Sequence, residues 1–224
     1  MPSASSSLLM QNERKMKKLF ILLLLTATKL ASLQAQVGVW GFAGANISNV
    51  HFPDSAGIDE KYESNFSAGF SFRKTGEGRI SYLADLAFAP KGYSYSISVP
   101  FEQKVRFRYF YLDLAPQLQY RLTNVLSISA GPYGSLKLKE RINAGDGWKK
   151  PLSLVGEFRD DTDFGFIASA RAGFGQFTFA LSYLHGLQNL SDINFTDENG
   201  VPIGKVYERN RAVQLTLGYR FWQS

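Results

Sequence analysis

From Ala212 to Trp222 apolar and polar residues alternate almost without a break: Val213, Leu215, Leu217, Tyr219 and Phe221 share one face, and Gln214, Thr216, Gly218 and Arg220 the other. The same two-residue period recurs along the chain. Phe66, Ala68, Phe70 and Phe72 alternate with Asn65, Ser67, Gly69 and Ser71. Leu126, Ile128, Ala130, Pro132, Leu136 and Leu138 alternate with Ser127, Ser129, Gly131, Tyr133, Ser135 and Lys137. Phe164, Phe166, Ala168, Ala170 and Ala172 oppose Asp163, Gly165, Ser169, Arg171 and Gly173, and Phe177, Phe179, Leu181 and Tyr183 oppose Thr178, Ala180 and Ser182. Eight strands are predicted, near residues 37–48, 65–73, 79–90, 105–121, 125–139, 163–174, 177–187 and 211–222.

The connections between them are long and short by turns. Those after strands one, three, five and seven (49–64, 91–104, 140–162 and 188–210) are long and polar; those after two, four and six (74–78, 122–124 and 175–176) are tight. An up-and-down transmembrane β-barrel has this asymmetry, with short turns at the periplasmic end, long outer loops and an even strand count. A water-soluble barrel would turn its apolar face inward instead. Lipid outside is favoured by polar faces rich in Gly, Ser and Ala, by aromatics at the segment ends, and by charges isolated within the polar faces. Strand one leaves its inner face open: Trp40 and Phe42 lie with Gly38 and Gly44, against Val39, Gly41 and Ala43. In strand three Ile80, Tyr82, Leu86 and Phe88 point outward, and Leu83 is an inward apolar exception.

Composition refines this picture in three places. The basic stretch Arg14, Lys15, Lys17 and Lys18, the apolar residues 19–25 and the small-residue stretch ending at Ala35 read as an export signal over residues 1–35, with Met16 an alternative start. A single barrel domain then covers residues 36–224. The formal charge of +6 includes +4 from the leader (Arg14, Lys15, Lys17, Lys18 and Lys29 against Glu13), leaving +2, too little for a nucleic-acid footprint. There is no cysteine, which excludes disulfides, thiolate nucleophiles and a lipoprotein anchor. The two histidines, His51 and His185, are too far apart in sequence to suggest a metal site, and no cofactor motif is present.

With polar faces inward, the lumen holds Asp85, Asp113, Lys137, Arg171 and Arg220, together with Gln117, Gln119 and Gln214. Eight strands enclose a space that side chains fill, so these groups are expected to pair and form a plug, with Arg220 reaching Asp85 or Asp113. Catalytic signals are weak. His185 and Ser182 stand at i and i+3 on a strand, hence on opposite faces, with Asp192 in the following loop. The acidic stretch 192–200 lacks the spacing of a calcium loop and reads as a solvated turn. Residues 93–98 and 148–156 mix aromatic and polar side chains and read as a contact surface for a protein partner.

The motifs at residues 41–48, 111–120, 130–134, 163–165, 181–187 and 218–221, in that order, resemble the PorT-like outer-membrane β-barrel proteins, also called the porin family or outer membrane protein beta-barrel domain. The resemblance covers nearly the whole mature chain. It implies an eight-stranded antiparallel barrel in the outer membrane of a Gram-negative envelope, surrounded by outer-membrane lipids. It also implies handling by the barrel-assembly machinery during biogenesis, which reads a terminal aromatic. Here Phe221 and Trp222 are the candidates, although Gln223 and Ser224 follow them. The functions in view are a non-enzymatic barrel acting through its outer loops and an accessory subunit of a secretion or transport complex, as for the member that names the family. A lipid-modifying enzyme is the third.

Overall fold

In the computed structural model, the described residues are 36–51, 61–75, 78–97, 103–145, 147–149, 161–190, 194–196, 202–205 and 209–223. The expected export signal lies outside them. Eight long strands run in chain order: β1 (Gln36–His51), β2 (Lys61–Thr75), β3 (Ile80–Ile97), β4 (Gln103–Arg121), β5 (Leu126–Asn143), β6 (Thr162–Phe174), β7 (Phe177–Gly186) and β8 (Arg209–Gln223). Each pairs antiparallel with its sequence neighbours, and β1 pairs with β8, from Gly38 opposite Gln223 to His51 opposite Arg209. The sheet is therefore a closed eight-stranded up-and-down barrel.

The alternation sets the two faces. On β8, Val213, Leu215, Leu217, Tyr219 and Phe221 are exposed, while Asn210, Ala212, Gln214 and Thr216 are buried. Phe66, Phe70, Phe164, Phe166, Phe177, Phe179 and Leu181 continue the exposed apolar band round the wall. An apolar surface of this extent is tolerable only against lipid, where the barrel also satisfies its backbone with no free sheet edge. The open question on β1 resolves with Trp40, Asn46 and Ser48 buried in the lumen and Ala43, Ala45 and Ile47 exposed.

At the periplasmic end the turns are tight. Thr123 Oγ1 accepts from the Val125 and Leu126 amides at 3.2 and 2.9 Å, and Gly175 turns the β6–β7 hairpin at φ +60°. The outer half departs from the expected boundaries. β3 and β4 are 18 and 19 residues long, well beyond the ~9–11 that cross a bilayer, so much of 91–104, expected as loop, is strand. Proline and polar residues suggest a stop at residue 90, but the β3–β4 ladder continues from Pro90 opposite Phe110 to Ile97 opposite Gln103. Trp148–Lys149 adds a short pairing to β5, and Asn194–Thr196 pairs with Pro202–Lys205.

Two stretches of the wall lack regular pairing. Between β4 and β5 the ladder lapses around Pro116 and Pro132 but resumes in the same register. Between β2 and β3 it lapses from Tyr62 opposite Tyr93 to Ala68 opposite Phe88, with a register shift.

Candidate functional site

The lumen is filled in tiers. At the periplasmic mouth Trp40 is buried between two arginines, with Arg73 Cζ at 4.4 Å from its ring centroid and Arg220 Cζ at 5.9 Å. Arg73 donates to Ser71 Oγ at 3.1 Å and Thr178 Oγ1 at 3.2 Å.

One step outward, Arg171 Nη2 of β6 donates across the barrel to Asp85 Oδ2 of β3 at 2.6 Å, and Gln117 Nε2 reaches the same oxygen at 2.8 Å. Gln117 Oε1 accepts from Ser129 and Ser169, at 2.7 and 3.3 Å, and Ser169 meets Ser182 at 2.9 Å. Five strands thus contribute to one polar layer. Above it, Ala115, Ile167, Leu184 and Ala212 close around the Tyr133 ring as an apolar girdle.

The next tier centres on Lys91. Its Nζ donates to Ser135 Oγ at 2.9 Å, lies 3.2 Å from Asp113 and 3.6 Å from Asp163, and stands over the rings of Tyr111 and Tyr133 at 4.9 and 4.8 Å. Asp163 Oδ2 also accepts from Tyr133 at 3.1 Å and Asn210 at 2.8 Å. All three charged groups are buried, so each depends on the others for its solvation. Beyond them Tyr93, Phe107, Tyr109 and Tyr111 stack along the β3–β4 hairpin, with Tyr93 and Phe107 5.0 Å apart.

The cavity lined by Asp85, Asp113, Arg73 and Arg171 measures about 30 Å³, room for a water molecule. The tiers carry opposite excess charge. Arg73 and Arg171 outnumber Asp85 below, and Asp113 and Asp163 outnumber Lys91 above.

Of the five lumen residues expected from the sequence, the structure joins Asp85 to Arg171 and places Asp113 with Lys91. Lys137 stands at the outer rim, 3.1 Å from the exposed Asp161 and 3.4 Å from Glu140, away from the inner tiers. Arg220 meets neither Asp85 nor Asp113. Its Cα partner on β1 is Trp40, so it sits at the mouth, one tier too low for either acid. Lys91, Asp163 and Arg73 were not in the expected network. Lys91 carries on the odd-numbered inward run of Leu83, Asp85, Ala87 and Ala89, and following that parity past Pro90 would have found it.

Phe221 and Trp222 end the apolar band, exposed on β8. Ser182 turns into the lumen, whereas His185 lies on the outer side, its Nδ1 3.4 Å from the Tyr183 hydroxyl. Among the described residues no three His, Asp or Glu side chains are grouped as a metal site. Residues 150–156, part of the expected contact surface, lie outside the described residues, as does Asp192. Trp148 is described and stacks under Arg108 at 4.4 Å.

No curated protein sequence matches the chain. Among solved structures, Ail of Yersinia pestis in complex with the heparin analogue sucrose octasulfate is similar at 15% identity, covering 84% of this chain and 100% of its own, with a TM-score of 0.46. Neisserial surface protein A is similar at 12% identity, 84% and 100% coverage and TM-score 0.44. OprG of Pseudomonas aeruginosa is similar at 11%, 84% and 97%, with 0.40. Residues 11–192 match the family described as "Outer membrane protein beta-barrel domain". With that match over most of its length, a closed barrel and a lipid-compatible outer face, the chain belongs to the outer membrane protein beta-barrel domain family and resides in the outer membrane.

Proposed function

We propose that this barrel is a non-enzymatic outer-membrane protein that acts as a structural or binding element through its extracellular connections, with its lumen closed by the two charge tiers. The observation that carries this reading is the filled lumen. Lys91 with Asp113 and Asp163, and Arg171 with Asp85, cross the bore at two heights and leave about 30 Å³ between them. A bore plugged in this way has no room for diffusion of a solute, so contact with the surroundings falls to the outer rim. There the β3–β4 hairpin stands well beyond the membrane, carrying Arg106 with Glu63 at 3.7 Å and Arg108 on Trp148.

The test is quantitative co-purification from mildly solubilised membranes. A barrel acting alone is recovered without a stoichiometric partner. An envelope complex recovered at fixed stoichiometry would favour the PorT-like accessory-subunit reading, which the motif resemblance supports. Mass analysis of lipid A with and without the gene addresses the enzymatic alternative, and an unchanged profile is expected.

A further inference from the structure

The periplasmic mouth of the bore is ringed by bases. Arg73 and Lys74 lie at the end of β2, Arg79 just before β3, Arg121 at the end of β4 and Arg220 near the end of β8, and the same strand ends and turns contain one acidic residue, Glu77. Among the described residues none of the five bases is paired with a carboxylate. Arg79 and Arg121 are both exposed and lie side by side, the Arg121 amide donating to Arg79 O at 2.8 Å. Like charges set opposite one another on neighbouring strands repel, and an anion bound between them would relieve that repulsion.

Two of the five flank a ring at the mouth. Trp40 sits opposite Arg220 on β8, and Gly38, two residues nearer the periplasm, sits opposite Arg73 on β2. A Cβ on Gly38 would collide with the Trp40 ring, so the ring leans toward the mouth over a residue with no side chain to block it. The Arg73 guanidinium carbon stands 4.4 Å from the ring centroid and that of Arg220 5.9 Å. Contact with a ring occupies the flat face of a guanidinium and leaves its N–H edge for a planar acceptor. Arg73 Nε and Nη1 donate to Ser71 and Thr178, which leaves Nη2, and the Arg220 side chain makes no hydrogen bond among the described residues. Trp40 is buried, whereas both arginines are half-buried and open to the periplasm.

We propose that this mouth docks an acidic peptide segment of a periplasmic partner. Its carboxylates are taken by Arg73 and Arg220 beside Trp40 and by Lys74, Arg79 and Arg121 around the rim. A guanidinium edge and a carboxylate match through two parallel hydrogen bonds. Arg73 and Arg220 face the bore, inside the wall, whereas the headgroups of surrounding lipid lie outside it, so a chain entering from the periplasm fits better than an inner-leaflet phospholipid. The turns at residues 122–124 and 175–176 are too short to fold over the mouth. One tier further in, the Arg171–Asp85 pair crosses the bore and ends the site. The mouth and the outer connections are at opposite ends of the barrel, so either contact can fail without the other.

The test uses the barrel in nanodiscs of zwitterionic phosphatidylcholine and a C-terminally amidated hexaglutamate peptide, read by amide NMR. Saturable shifts are expected at residues 38–40, 72–74 and 219–221, with none from hexaglutamine. Arg73→Gln/Arg220→Gln is expected to weaken the midpoint at least about tenfold, while Lys104→Gln/Lys139→Gln, exposed toward the outer end, leaves it unchanged. Shifts confined to residues 104–108 and 139–141, or an unchanged midpoint in Arg73→Gln/Arg220→Gln, would overturn the proposal. A second arm replaces part of the phosphatidylcholine by phosphatidylglycerol and omits the peptide. The same shifts at 38–40 and 219–221 would then assign the site to lipid and overturn peptide docking. Should the double variant fold poorly, the unsubstituted barrel decides alone: the absence of saturable hexaglutamate shifts at the mouth refutes the site.

Discussion

Replacing Lys91 with Met keeps most of the side chain's apolar length and removes only its charge and donors. Lys91 stands between Asp113 at 3.2 Å and Asp163 at 3.6 Å, all three groups buried. Without the ammonium, two carboxylates face each other with Ser135, Tyr133 and Asn210 as the remaining donors. Removing one partner from a buried ion pair costs about 3–5 kcal/mol, because the other charge is left uncompensated. At ~1.4 kcal/mol per decade that is roughly two to three and a half decades in the unfolding equilibrium. The loss of contact with the Tyr111 and Tyr133 rings is part of this figure and not an addition to it. Lys91→Met/Asp113→Asn removes both charges, and Asp163 keeps its bonds from Tyr133 and Asn210. The double variant is therefore expected to be more stable than the sum of the single changes by about 1–3 kcal/mol. Reversible urea unfolding in lipid vesicles, followed by tryptophan fluorescence, measures both quantities. A Lys91→Met cost below about 1 kcal/mol, or a coupling near zero, would refute the reasoning that the outer tier is a mutually dependent charge cluster.

Other outcomes follow from the same structure. Leu215→Arg places a charge on the lipid face and is expected to cost about 2–4 kcal/mol if it lies at the bilayer midplane, while Gln214→Leu, one residue away on the lumen face, costs less; the same unfolding assay compares them. Gly44→Val is expected to abolish the heat-modifiable folded band on gels, since a Cβ on Gly44 would collide with Leu215 O, where β1 closes against β8. Normal folding would show that the closure has slack. Phe221→Ala/Trp222→Ala is expected to lower the amount of folded barrel in the outer membrane at unchanged synthesis, as a terminal sorting signal requires. Unchanged assembly would remove that role.

How much the sequence disclosed depends on what lipid sorts. On β6, β7 and β8 one face meets acyl chains, so alternation is strict and both faces were readable. Lipid does not constrain the outer half of β3 and β4. There Tyr93, Tyr109 and Tyr111 are buried, rings occupy an inner face that is polar lower down, and the strand limits were missed. Trp40 inverts the rule at the other mouth, because two arginines cover it. Charges could be placed on a face by parity, but partners could not, since partnership depends on the stagger of strands distant in sequence. Asp85 and Arg171 are 86 positions apart and meet. Arg220, expected to find an acid, finds a ring. Lys91 was hidden by Pro90, which reads as a loop signal and in fact shapes the break between β2 and β3.

The closed lumen is tested most directly by planar-bilayer conductance of the purified barrel. The proposed plug predicts no steady openings in the unsubstituted protein, because Arg171–Asp85 and Lys91–Asp113 cross the bore at two heights. Steady openings of porin size would contradict the plug and, with it, the proposal that the protein works from its outer rim.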